Sequence, residues 1–192
     1  MSSGFCTVGH SNRRLADFVA ILRQAQVTLV VDVRRFPRSR SNPDYNIDTL
    51  PEALARCQIG YRHMPDLGGR RGRQPDIPDS SNALWRNRSF HHYADYALSD
   101  QFGRAFDELV SLGEHDRVAI MCSEAVWWRC HRRIITDYLL LNGHEVAHLM
   151  GDGRKEAARP TPGAQRTAAG KVVYPQEDQQ DIKTGEIQSL DH

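Results

Sequence analysis

Short, mainly apolar runs alternate along the chain with longer stretches in which apolar residues recur every three or four positions. The short runs are FCTVGH (5–10), TLVVDV (28–33), VAIMC (118–122) and EVAHLM (145–150). TLVVDV is β-branched and apolar on both faces, as strands inside a parallel sheet are, and the others read as strands beside it. SNRRLADFVAILRQAQ (11–26) sets Leu15, Phe18, Val19 and Leu22 on one helical stripe, with Ser11 or Asn12 available as a cap, so the chain opens as a βαβ unit. A short helix from Asp48 or Thr49 to about Arg56 and a strand over IGYRHMP (59–65) come next. A helical stretch from Ser89 to Leu112 has a fresh cap near Ser99 and Asp100, and VWWRCHRRIITDYLLLNG (126–143) reads as a helix closed by Gly143. The predicted fold is α/β: an open, mainly parallel sheet with helices on both faces, a Rossmann-like three-layer architecture over residues 1–153.

Two long polar segments interrupt this pattern. RRFPRSRSNPDYN (34–46) must be a loop leaving the second strand, and residues 68–88 form an excursion rich in glycine, proline and charge, of a length that is unusual in compact domains unless it binds something or moves. Residues 154–192 are a polar C-terminal extension. Within it KVVYP (171–175) can add a short edge strand, while DQQDIKTGEIQSLDH (178–192) lacks the apolar content to fold by itself and is expected to be disordered or loosely draped.

Composition narrows the functional classes. With 25 Lys and Arg against 24 Asp and Glu, the formal charge of +1 creates no whole-protein field that selects nucleic acid, so polyanion binding has to come from local clusters. Four cysteines, Cys6, Cys57, Cys122 and Cys130, are too few and too scattered for a disulfide-stapled secreted domain. Without a long apolar signal segment or a membrane-length run, a cytoplasmic protein with no membrane contact is expected. Nothing in the sequence fixes an oligomeric state.

In such sheets the carboxyl ends of the strands share a crevice with helix N-termini. Three strand ends carry chemistry: Gly9-His10-Ser11, Asp32-Val33-Arg34 and Cys122-Ser123-Glu124. Asp32, just after LVV, is either a structural ion pair with Arg34 or Arg132 or a catalytic carboxylate. Glu124 is either a helix-capping acid or a functional one. Cys122 at a helix start, with His10 or His131 as base, is a candidate nucleophile, yet the phosphatase-loop spacing is not met: Trp128 stands six positions after Cys122 and Arg129 follows it. A zinc site from Cys122, Cys130 and His131 would need a fourth ligand and lacks paired-cysteine spacing, so neither metal nor cofactor is expected.

Arg132 has the reach to hold an anion, while Arg133 and Asp137 read as an exposed i,i+4 pair. Arg34, Arg35, Arg38 and Arg40 form one basic loop and Arg70, Arg71 and Arg73 a second, interleaved with aromatics in a way that suits phosphates with a stacked ring. Trp127 and Trp128 can pack in the core, and Trp85 is the candidate for an exposed lid aromatic.

TVGHS (7–11), VVDVRRFPRSR (30–40), LGG (67–69), FHHYADY (90–96), CSEAVWWRCHRRII (122–135) and GHEVAHLMGDG (143–153) together resemble the bacterial and archaeal family called domain of unknown function 488. The resemblance implies a small α/β protein with a polar pocket at its strand ends and places weight on Gly9, His10, Ser11, Asp32, Arg34, Pro37, Cys122, Glu124, Cys130, His131 and Arg132. It implies no particular reaction.

The pocket composition supports three functional expectations. The first is an enzyme hydrolysing a nucleotide or nucleic-acid component, with Arg34, Arg38 and Arg132 holding phosphate, Ser11 and His131 aiding binding, and Asp32 or Glu124 orienting water or stabilising cationic character. The second is a non-enzymatic nucleotide- or nucleic-acid-binding module, and the third is thiol- or metal-assisted chemistry at Cys122 with a histidine.

Overall fold

The computed structural model describes residues 4–176. Six strands form the main sheet: β1 (Gly4–Gly9), β2 (Leu29–Asp32), β3 (Gly60–His63), β4 (Arg117–Cys122), β5 (Val146–Leu149) and β6 (Lys155–Ala157), in the order β3-β2-β4-β1-β5-β6. β1 to β5 pair in parallel, and β6 closes one edge antiparallel to β5.

The pleat sorts the strand residues onto two cores. Val30, Ala119 and Met121 pack with α1 (Leu15–Gln24) and α2 (Leu50–Ala55) on one face. Val31, Val118 and Ile120 pack on the other with α3 (Arg88–Ala97), α4 (Asp100–His115) and α5 (Arg132–Leu141). The expected three-layer α/β architecture is therefore present. The helix after β1 lies on one face and the helix after β4 on the other. Neighbouring β1 and β4 thus flank a topological switch point, where ligand crevices open in sheets of this kind.

Two elements differ from their sequence patterns for local reasons, and a third breaks where expected. α1 starts at Leu15 with no side-chain cap, because the backbone N–H groups of His10 and Ser11 extend the parallel ladder onto the carbonyls of Cys122 and Ser123 at 2.9 and 3.0 Å. Ser11 turns the chain with φ 47. The predicted helix over 126–143 is broken at Cys130, which is extended (φ -121, ψ 148) between a single 3-10 turn at Trp127–Arg129 and the start of α5. The break anticipated near Ser99 is present, and the Ser99 side chain accepts from Phe102 N at 3.2 Å to cap α4.

The C-terminal segment also departs from expectation. Instead of an edge strand of the main sheet, Val172–Val173 (β8) pairs with Gln165–Arg166 (β7) in a separate two-stranded ribbon. Tyr174, fully buried, is the reason: its hydroxyl donates to Asp137 Oδ2 at 2.8 Å, its N–H to Asn82 Oδ1 at 3.1 Å, and its carbonyl accepts from Leu84 N. This strap ties the 79–84 segment to α5 and buries Trp85 between Phe90 and Tyr174, so Trp85 is a core residue and not an exposed lid. Asp137 is buried by the same strap and accepts from Thr161 N, while Arg133 donates to Thr161 Oγ1 and lies over the Trp85 ring; the expected exposed Arg133–Asp137 pair does not form. The tail at 178–192 lies outside the described residues. No helix among the described residues is long and apolar enough to cross a membrane.

Gly9 couples this fold to the crevice. A Cβ there would lie 1.9 Å from the Glu124 carbonyl oxygen and 2.9 Å from Ala125 Cα, both backbone atoms that cannot swing aside. Gly9→Ala should therefore destabilise the protein by about 2–3 kcal/mol through overpacking, read as a lower urea midpoint at unchanged slope. A variant as stable as the parent would show that the 123–125 loop does not pass so close to β1.

Candidate functional site

A cleft of about 620 Å³ opens at the carboxyl ends of β1, β2 and β4. His10, Ser11 and Asn12 line it from the end of β1, Arg34, Arg35, Phe36 and Arg38 from the loop after β2, and Cys122, Ser123 and Glu124 from the end of β4. Asn42, Gly69, Arg70 and His131 complete its wall. A larger hollow of about 730 Å³ lies at the amino ends of β1 and β4, around Gly4, Phe5 and Arg117. It faces away from the helix N-termini that make the carboxyl end the place for an anion.

Asp32 does not line the cleft. Its carboxylate is fully buried and accepts four hydrogen bonds: from Arg34 N and Nε on Oδ1 (3.0 and 2.9 Å), and from Arg34 Nη2 and the Tyr61 hydroxyl on Oδ2 (2.7 and 2.6 Å). Of the two pairings open in the sequence, the one with Arg34 forms. A carboxylate with its acceptor sites this fully used is a positioning group for Arg34 rather than a base facing a ligand.

Arg34 in turn donates through Nη2 to the Tyr45 carbonyl at 2.6 Å and through Nη1 to His10 Nε2 at 3.2 Å, which leaves one Nη1 hydrogen without a protein acceptor. His10 is thereby fixed as a neutral imidazole, because Nε2 accepts from Arg34 while Nδ1–H donates to the Ser11 carbonyl at 2.8 Å. It also stacks on Tyr45 at 4.2 Å. Burial, reinforced by the Arg34 charge and opposed by the Ser11 hydrogen bond, pushes its pKa down to about 4. With both ring nitrogens engaged, His10 has no free nitrogen to act as base for Cys122.

A second buried arginine organises the other wall. Arg132, 1% exposed, donates through Nη2 to the Glu124 carbonyl at 2.5 Å and through Nε to Cys130 Sγ at 3.3 Å. Sequence reading gave Arg132 to a ligand, but its position puts it under the wall, outside the cleft lining. Of the two buried sulfurs, Cys130 is the one more able to carry charge. Burial works against its thiolate and is outweighed by the Cys122 hydrogen bond and the Arg132 charge, which bring its pKa to about 6. The same hydrogen bond, together with burial, pushes the Cys122 thiol well up, so Cys122 is the protonated partner and a poor nucleophile.

His131 Nε2–H donates to the Val33 carbonyl at 3.0 Å, and its Nδ1 lies 3.6 Å from Cys130 Sγ. Burial holds its imidazole below its ordinary pKa. The two sulfurs and one His131 ring nitrogen, the set that the sequence offered without paired-cysteine spacing, lie within 4.8 Å of one another because the extended Cys130 breaks the expected helix.

The remaining groups are more exposed. Glu124 is exposed and caps no helix, since α5 begins at Arg132; its Oε1 accepts only a 3.5 Å contact from Val126 N. Arg38 pairs with Asp48 on the surface, and Ser11 turns its carbonyl toward Asn42 Nδ2 at 2.9 Å. The two basic loops do not act alike. Arg35 and Arg70 line the cleft and have no carboxylate partner among the described residues, with Arg35 donating to the Arg70 carbonyl at 2.8 Å. Arg71 instead lies over Tyr96 at 3.9 Å and donates to the Gly68 and Pro65 carbonyls, a structural clamp. Phe36, 63% exposed, stands at the rim.

The neutrality of His10 has a measurable consequence. Its folded pKa lies below the ordinary 6.5, so its contribution to stability is complete above about pH 6.5 and is lost as pH falls toward 4, at up to about 1.4 kcal/mol per pH unit. His148, buried beneath Trp127 and hydrogen-bonded to Thr7, is pushed down to about 4 by the same burial. Imidazole proton resonances of both should remain those of the neutral ring at pH 5.5; an ordinary midpoint near 6.5 for His10 would refute the buried, Arg34-bonded tautomer.

No curated protein and no solved structure matches the chain. The model of the family described as Domain of unknown function DUF488 matches residues 14–139, all of α1 through most of α5 and with them the cleft-lining loops after β2 and β4, while His10, Ser11 and Asn12 at the end of β1 precede the match; the chain belongs to that family.

Proposed function

We propose that the cleft binds a phosphorylated, ring-bearing ligand of nucleotide size and that Glu124 serves there as the acid–base group in hydrolysis of a nucleotide or nucleic-acid component. The observation that carries this reading is the charge of the lining: Arg35 and Arg70 face the cleft without carboxylate partners among the described residues, and Glu124 is the one carboxylate among the lining residues. Its volume of about 620 Å³ is of the size that holds small ligands. Phe36 at the rim offers a face for a ring, and arginines beside it suit planar, multi-donor phosphate contact. The residual Nη1 hydrogen of Arg34 and the Ser11 and Ser123 hydroxyls add neutral and charge-assisted donors.

A two-carboxylate scheme is not supported, because Asp32 is saturated beneath the surface. That same saturation favours a second reading in which the cleft recognises the ligand and performs no chemistry. The two readings differ only in what Glu124 does.

Calorimetry against a panel of nucleoside mono- and diphosphates should find at least one ligand whose affinity falls about tenfold or more in Arg35→Ala and again in Arg70→Ala, and falls further as salt is raised. Equal binding by the parent and both variants would remove the phosphate assignment. With a ligand in hand, Glu124→Gln should keep the affinity and lose turnover by about 100-fold or more. Full turnover in that variant excludes Glu124 as the acid–base group, and a parent that binds without product formation leaves the recognition reading.

A further inference from the structure

We propose that Cys122, Cys130 and His131 form a binding site for one thiophilic divalent cation, of which zinc is the natural candidate, at the floor of the cleft. Their ligand atoms already lie within 4.8 Å of one another. Ligands about 2.3 Å from a tetrahedral ion sit about 3.8 Å apart, so closure requires a side-chain adjustment of about 1 Å.

The histidine is prepared for this role. Its Nε2–H is fixed on the Val33 carbonyl at 3.0 Å, which is how ligating histidines are held in one tautomer, and the lone pair of Nδ1 is thereby left on the side of Cys130 Sγ. Gly69 passes over the face of the same ring, where a Cβ would sit 2.9 Å from Nδ1 and 3.2 Å from Cγ, so the glycine keeps the imidazole in this position. Arg132 adds an N–H bond to Cys130 Sγ, a contact that steadies a thiolate without occupying the position of the ion. Two thiolates would neutralise the two positive charges of the ion, their protons passing to solvent.

Cys122 and His131 both line the cleft, so three protein ligands would leave the fourth position open toward it. That is the arrangement of a catalytic rather than a structural zinc site. The mixed sulfur and imidazole set favours zinc over hard cations, and cobalt can report on it by its colour.

The test uses the full chain, reduced and free of any metal-binding tag, with no nucleotide present, so its result is independent of the phosphate reading. Titration with cobalt should give tetrahedral ligand-field bands and a thiolate-to-cobalt absorption that saturates at one ion per chain and is displaced by zinc. Competition with a chromophoric chelator should show zinc bound about 100-fold or more weakly by Cys130→Ser and by Cys122→Ser. The control variant Cys57→Ser, away from the cleft, should bind as the parent does. A parent spectrum without the thiolate absorption overturns the site, as does unchanged zinc affinity in Cys130→Ser. Recovery of Cys122 and Cys130 as a disulfide in a protein that takes up no zinc after reduction would equally overturn it. Should either variant lose its circular dichroism, the parent's cobalt spectrum and stoichiometry decide alone.

Discussion

The buried Asp32–Arg34 pair holds the carboxyl end of the sheet together. The aspartate is fully buried and the arginine 6% exposed, reaching the cleft only by its edge, so both charges are satisfied almost wholly inside the protein. Asp32 finds its partners in Arg34 and Tyr61, and Arg34 finds the remainder in the Tyr45 carbonyl and His10. These bonds reach the ends of β1 and β2, the start of β3 and the 3-10 turn at Pro43–Tyr45. Loss of either charge would leave the other uncompensated, an effect on the order of 3–5 kcal/mol in such sites, whereas the intact pair contributes less to net stability than to fixing one arrangement. Apart from the one Arg34 Nη1 hydrogen that reaches the cleft, its effect there is indirect: it sets the tautomer of His10 and points the 34–38 loop.

Arg132 does on the second wall what Arg34 does on the first, with different partners. No carboxylate among the described residues pairs with it; it is held by the Glu124 carbonyl and the Cys130 sulfur, and that places a cation where thiolate character is favoured. The two buried arginines therefore divide the site between an oxyanion node and a sulfur node. The exposed arginines, Arg35 and Arg70, line the cleft and are the ones left for a ligand. The basic loops read alike in sequence, but partners separate them: Arg71 is committed to Tyr96 and two carbonyls, and Arg38 to Asp48.

Much of this was legible in the chain before folding. Apolar runs at 28–33 and 118–122 marked central strands because both faces are covered, and the strand-end residues His10, Ser11, Arg34, Cys122 and Glu124 do converge. What pattern could not show was where backbone pairing overrides helical periodicity. His10 and Ser11 are drawn into the ladder with residues 122–123, and Cys130 is pulled extended, so stripes that continue in sequence stop in space. Partner choice was equally hidden. Asp32 had two arginines in prospect, and only the register of β2 against β3, which pairs Val30 with Tyr61 and brings the Tyr61 hydroxyl to Asp32, shows that its carboxylate is fully engaged. Trp85 read as exposed because its covering residue, Tyr174, lies 89 positions later in a segment with almost no pattern of its own.

The formal charge of +1 and the basic cleft are compatible because attraction for an anion is set locally. At physiological ionic strength screening acts over about 8 Å, so acidic residues on the far side of the sheet scarcely weaken the field of Arg35 and Arg70. The pairs that do matter are those within the wall, and there Asp32 cancels Arg34 while Asp48 draws off Arg38. What remains is a small excess of positive charge opposite one exposed carboxylate and beside a sulfur pair. Such a surface would bind a compact anion better than an extended polyanion, because its unpaired donors are confined to one hollow and do not form a track across the protein.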